Sequence, residues 1–341
     1  MAHPFLLMKL TNGQSDFKKA WTLSVLQMIE TPANARATRR LKVSNVPKLK
    51  YRYFLPLFGF PFKGERFDVD TELHMVRMPK PFDTTKWRGF LSEDDLSKLS
   101  RCSHSLVLDV RGGGYPRPKE LVSLFLLALW ITRPTRACTA FRFVIDDDDV
   151  PVVPQAVRIM DIHQWLQGDV YENLSVTHLR RASRLFQSLK ALSPTGGRLY
   201  TALTYAHYGC TTIRWQVAFT MYSASFETIF FPDSKNRITH KLARRAACFL
   251  EQSDERRKRV YERVSYFYDV RSAILHGRFL ANLEDQSASK KNLKDLRLLS
   301  VTLRRVWQKI LSDNKLISTL NADVTTRNTY FDKLCGAFTP N

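Results

Sequence analysis

The sequence predicts an α+β protein. An N-terminal β-rich or mixed α/β domain is expected over residues 1–170, an all-α helical bundle over 171–320 and a C-terminal tail over 321–341. Three observations lead there. Between Tyr51 and Val110 the apolar residues come in short runs cut by Pro and Gly, which suits strands and turns better than helices. Beyond about residue 170 the apolar residues recur at helical spacing through several long segments. The composition, 44% hydrophobic and 25% charged, is that of an ordinary globular chain of 341 residues.

Residues 13–30 carry Phe17, Trp21, Val25, Met28 and Ile29 at the spacing of an amphipathic helix. Such a face serves core packing first, and a partner or a membrane surface second. The stretch Arg36–Arg52 is basic, with Pro47 in its middle and Tyr51, Tyr53 and Phe54 behind it. It reads either as a backbone-tracking, base-stacking segment or as a solvated loop leading into a strand. Tyr53–Phe62 is aromatic and broken by Pro and Gly, Phe67–Val76 partly alternates, and Ser105–Val110 is a short β-like run. The glycines 112–114 lack the Lys-Ser/Thr ending of a P-loop and the spacing of a dinucleotide site, so a turn is expected there.

Pro118–Ile131 opens on a proline and continues as an apolar helix. Ala140–Ile145 is β-like and runs into the four carboxylates Asp146–Asp149. Consecutive strand residues point to alternate faces, so these four read as a solvated loop more readily than as a cation site. Val176–Leu192 reads as a basic helix, stopped by Ser193-Pro194-Thr195-Gly196-Gly197, and a shorter helix follows over Arg198–Tyr208. Four long helical patterns come next, at about 213–231, 236–252, 253–276 and 293–312, with Ser253 as N-cap of the third. Past residue 313 the chain is mixed and polar and carries no motif.

The formal net charge is +21, with a pI near 9.9. The excess is roughly +11 over the first 200 residues and roughly +10 over the rest, so it is no detachable basic tail. A fold this basic attracts polyanions, with nucleic acid first and an anionic membrane surface second. The five cysteines, Cys102, Cys138, Cys210, Cys248 and Cys335, form no C-x-x-C pair. Their odd number and spacing argue against a disulfide framework or zinc ribbon and for a reducing compartment. Residues 1–10 make a poor signal peptide, and the longest apolar run, Leu121–Ile131, is too short to span a bilayer. A soluble cytoplasmic protein is the expectation, with no membrane partner, no metal and no cofactor.

The stretch with the most chemical content is Tyr268-Asp269-Val270-Arg271-Ser272-Ala273-Ile274-Leu275-His276-Gly277, at the end of the third long helix. Arg271 offers a permanent cation with a planar fork of donors suited to phosphate. His276 can exchange a proton near neutral pH. Five helical steps set the two roughly 140° apart on a straight helix, so a turn at Gly277 or a second subunit is needed to bring them together. The competing reading is structural: Arg271 pairs with Asp269 or Glu227, and His276 caps the helix C-terminus.

These residues carry a resemblance. Tyr-Asp-x-Arg-Ser-x-x-x-His-Gly at 268–277, with Ser225–Phe230 and Lys241–Ala247 before it, resembles the HEPN superfamily in its Apea-like branch, over about residues 213–313. The resemblance implies a metal-independent endoribonuclease with Arg271 and His276 as the catalytic pair. It implies supporting roles for Glu227, Ser272 and Asp269, and a homodimer that brings two Arg/His motifs across one groove. It also implies service in antiviral defence or a toxin–antitoxin pair, with an inhibitor or activator protein as possible partner. RNA is the expected substrate. Arg244, Arg245, Arg256 and Arg257 are further candidate RNA contacts, each equally consistent with a solvated helix face. The alternative is a non-catalytic bundle of the same kind that binds RNA or a nucleotide, or only dimerises.

Overall fold

In a computed structural model of the chain, the described residues are 52–78, 85, 91–109, 118–135, 137, 139, 143–145, 173–192, 196–212, 214–232, 237–277 and 290–340. All of them belong to one compact unit, Lys50–Asn341. The helix expected over residues 13–30, the basic stretch up to Tyr51, the triple glycine and Asp146–Asp149 lie outside the described residues. Those described form an α+β fold of one antiparallel sheet and a larger set of helices.

The strands are β1 (Arg52–Leu57), β2 (Arg66–Asp68), β3 (Leu73–Arg77), β4 (His104–Asp109) and β5 (Phe143–Ile145), in the order β2-β3-β4-β1-β5. Alternation sets the buried face. Leu55 pairs with Leu106 and Leu106 with Met75, so the three stand in one row and are fully buried. Phe54 points to the other face, where helix α1 (Glu93–Ser100) supplies Leu96 and Leu99 to a smaller cluster. The Ser92 hydroxyl caps α1 by accepting from the Asp95 N–H, and Glu93, Asp94 and Asp95 suit its positive end.

The β2–β3 turn is tied to the helices through Asp70. Its Oδ1 accepts from the Glu72 and Leu73 N–H groups at 2.9 and 2.7 Å, and its Oδ2 pairs with Lys190 at 3.0 Å. Burial pushes the Asp70 carboxyl up, but these donors outweigh it and hold the group below its ordinary value.

Helix α2 (Pro118–Thr132) is apolar on every side, which marks a helix buried all round. It packs on α3 (Val176–Leu192) and on α8 (Lys290–Leu311), and Trp130 stacks on Tyr222 with ring centres 5.5 Å apart. The core therefore runs without a break from Leu55 in the sheet to Phe338 near the C-terminus.

The bundle is built from two hairpins. In the first, α4 (Gly197–Thr211) lies against α5 (Trp215–Phe230). Their close approach depends on Gly209, where an added Cβ would stand 2.4 Å from the Tyr222 ring. In the second, α6 (Ile238–Leu250) lies against α7 (Asp254–Leu275). Helix α8 closes on α5, as the central helix contacts α4, α6, α7 and α8.

The stretch after residue 313, which carries no motif in the sequence, forms α9 (Asn314–Asn321) and α10 (Val324–Cys335), capped by Asp313 and Asp323. Phe331 of α10 is fully buried, with Phe230 at 5.7 Å between ring centres and the Arg245 guanidinium 4.9 Å from its own. Phe331, Cys335 and Phe338 are thus part of the core. Phe331→Ala should cost about 3–5 kcal/mol, read as a lowered midpoint in urea unfolding.

Candidate functional site

Helix α5 reads WQVAFTMYSASFETIF, and Glu227 is its only charged residue. Trp215, Phe219, Tyr222, Phe226, Ile229 and Phe230 are buried around it. A carboxylate on such a helix needs a partner, and α7 supplies two. Arg271 Nη2 stands 3.0 Å from Glu227 Oε2, and the Tyr268 hydroxyl donates to Glu227 Oε1. Tyr268 and Arg271 are three residues apart on α7, hence on one face. The Arg271 guanidinium carbon lies 5.5 Å from the centre of the Tyr268 ring, a cation–π contact. Three side chains from two helices thus make one cluster.

Arg271 is anchored from behind but not enclosed: 23% of its side chain remains accessible, against 20% for Glu227. Its Nε is buried and has no hydrogen-bond partner among the described residues. Burial pushes the Glu227 carboxyl above its ordinary value, and the neighbouring Arg271 cation pulls it only partly back.

Helix α7 starts at Ser253, which takes the N-cap position without a side-chain cap hydrogen bond. Asp254 and Glu255 in its first turn suit the positive end. It ends at His276, the C-cap residue. Gly277 follows with φ 76, a left-handed conformation that glycine adopts without penalty. The His276 and Gly277 N–H groups donate to the Ser272 and Ile274 carbonyls at 2.9 and 3.0 Å. The His276 side chain is exposed at this end, and no hydrogen bond joins it to Arg271. Ser272 and Asp269 face solvent, and Leu275 is 56% exposed beside His276. The ion pair and the C-cap position are also the geometry that a purely structural role for Arg271 and His276 requires.

The other candidate RNA contacts divide. Arg245 is buried; it donates to the Phe231 carbonyl at 3.1 Å and to Asn328 Oδ1 at 2.7 Å. Arg244 donates to the Phe338 and Gly336 carbonyls at 2.7 and 2.8 Å. Both guanidinium groups hold the C-terminal segment onto α6; Arg245, buried with its donors turned inward, is thereby corrected as an RNA contact. Arg257 is half-buried, paired with Asp254 at 3.1 Å and bonded to the Glu251 carbonyl. Arg256 is exposed on α7.

Two features escaped the sequence reading. One is the Tyr268 hydroxyl as second donor to Glu227, which its place three residues before Arg271 already signalled. The other is a cleft lined by Arg181, Arg184, Arg305 and Lys309, whose cations come from two helices far apart in sequence. Among the described residues no group of three His, Cys, Asp or Glu side chains is placed to hold a metal ion, and no helix is long and apolar enough to cross a membrane. No protein-family model, curated protein or solved structure matches the chain.

The raised Glu227 value makes stability depend on pH. The folded state keeps this proton at pH values where the unfolded chain has lost it. The penalty is absent below the ordinary value of 4.5 and is complete once pH passes the folded-state value. Wild type should therefore lose unfolding free energy relative to Glu227→Gln as pH rises from 4.5, in urea titrations at a series of pH values. A constant difference across that range would show that burial does not dominate the site.

Proposed function

We propose that this chain is a metal-independent endoribonuclease of the HEPN kind, with Arg271 and His276 as its catalytic pair. The observation that carries the reading is the mounting of Arg271. Glu227 and Tyr268 grip it from the core side while 23% of its side chain stays accessible, and an exposed histidine ends the same helix. A cation held in this way is preorganised to stabilise charge on a phosphate.

In the proposed reaction His276 takes the proton of a ribose 2′-hydroxyl. The 2′-oxygen then bonds to the adjacent phosphorus while Arg271 neutralises charge on the non-bridging oxygens. The bond from phosphorus to the 5′-oxygen breaks and that oxygen takes a proton from water, leaving a 2′,3′-cyclic phosphate and a 5′-hydroxyl. Glu227 and Tyr268 are positioning residues that fix the Arg271 fork, and Ser272 and Asp269 border the site from the exposed side of α7.

Because Arg271 faces α5 and His276 sits at the helix end, a second copy is the proposed source of the complementary half-site, and exposed Leu275 is a candidate contact between copies. The exposed cations of α7, Arg256 foremost, are proposed to meet the RNA backbone. Action in the cytoplasm, in antiviral defence or under control of a partner protein belongs to the same proposal.

A second reading has its own support. Arg271 is already neutralised by Glu227 and His276 occupies a C-cap, so the bundle can serve as a non-catalytic RNA-binding or dimerisation module. The two separate in one experiment: purified protein incubated with total RNA in EDTA. The catalytic reading expects cutting by wild type and loss of at least a hundredfold in rate for His276→Ala, with no cutting of all-2′-deoxy substrate. Equal cutting by His276→Ala, or RNA binding without cutting by wild type, contradicts it.

A further inference from the structure

Helices α3 and α8 line an open cleft of about 640 Å³ that the ribonuclease reading does not use. On α3, Arg181, Arg184 and Ser188 recur at intervals of three and four residues, hence on one face. On α8, Arg305, Gln308 and Lys309 do the same, with Ser312 just beyond the helix end. The two stripes meet across the cleft. Arg181 Nη2 donates to Gln308 Oε1 at 2.9 Å, and the Ser188 hydroxyl donates to the Leu311 carbonyl at 3.0 Å. Leu185, Leu250 and Leu311 contribute apolar lining.

Among the described residues, the cleft is lined by no carboxylate. Arg305 pairs with Glu251 at 2.7 Å. Arg181, Arg184 and Lys309 form no ion pair with a described residue, and Arg184 makes no hydrogen bond to one either. Lys309 donates to the Phe249 carbonyl and lies over the Phe249 ring at 4.8 Å. Burial lowers the Lys309 pKa and the Arg305 cation adds to the effect, with Glu251 opposing. All four cations are exposed along the cleft, so their donors are open to a multivalent anion that lies between the two helices. Arginine forks match phosphate oxygens two at a time, and a volume of this size is typical of small-molecule sites.

We propose that this cleft binds a small ligand carrying two or more phosphate groups, held by Arg181, Arg184, Arg305 and Lys309. The site is distinct from the Arg271 cluster. Arg257, which bonds to Glu251 beside the cleft, precedes Arg271 by fourteen residues on α7, roughly 21 Å along the helix. The ligand class covers a free oligophosphate chain and a nucleoside polyphosphate, which share the recognised chemistry.

The test is calorimetric titration of the full chain at physiological salt with inorganic tripolyphosphate, ATP and adenosine. One equivalent of tripolyphosphate or ATP should bind, and adenosine should not. Equal affinities assign the interaction to the phosphate chain, whereas tighter ATP adds a nucleoside contact. Arg184→Glu should weaken binding at least tenfold, while Lys63→Glu, the same charge change at an exposed residue outside the cleft, should alter it less than twofold. Unchanged unfolding midpoints would show that both variants are folded. No binding at about 1 mM probe, or equal loss in both variants, overturns the proposal, the latter by reducing it to general attraction to a +21 protein. RNA cleavage does not enter this readout, so the two proposals fail separately.

Discussion

A single carboxylate on an otherwise uncharged central helix sets the terms for the rest of the bundle. Glu227 sits on α5, which touches four other helices, and its neighbours on the helix are large buried apolar side chains. Leaving that charge unpaired would cost several kcal/mol, so the fold must bring a cation to it. Arg271 is that cation, and Tyr268, one turn before it, occupies the second oxygen. The pairing fixes the rotation of α7 about its axis and hence where its last turn emerges. His276 and Gly277 end the helix there, and the exposed edge of the site follows from it.

The same economy of charge recurs elsewhere. Asp70 is held by two backbone donors and Lys190, which ties the sheet to α3. Arg245 is buried against Phe331 and bonded to Asn328, which ties α10 to α6. In each case one charged group with well-defined partners joins two elements whose apolar faces already meet. The α3–α8 cleft departs from that pattern, because its cations outnumber the acids beside them, and that imbalance is what singles it out as a ligand site.

Much of this was legible from residue order. Val176–Leu192 has the same bounds in sequence and structure because its apolar stripe is regular and a Pro-Gly stop follows it. The end of α7 was fixed by Gly277, since only glycine takes that conformation freely. The strands were visible as alternation, but their order was not, because pairing joins segments far apart in the chain. Helices α9 and α10 were missed since each buries only a few side chains, leaving no stripe long enough to recognise. Arg245 was misjudged because charge alone does not reveal exposure. Arg245 lies three residues after Leu242 and one before Ala246, on the buried face. The Glu227–Arg271 contact could be named only as one of two pairings for Arg271, since nothing in their spacing of forty-four residues predicts it.

The dependence of the bundle and site on that contact is most directly tested by a double-mutant cycle with Glu227→Gln, Arg271→Met and the pair, measured as unfolding free energy at neutral pH. A half-buried, mutually required pair predicts a coupling of about 0.5–3 kcal/mol, with either single variant nearly as unstable as both together. Additive losses would mean that Glu227 and Arg271 act independently, and the account of how α7 and its last turn are positioned would fail.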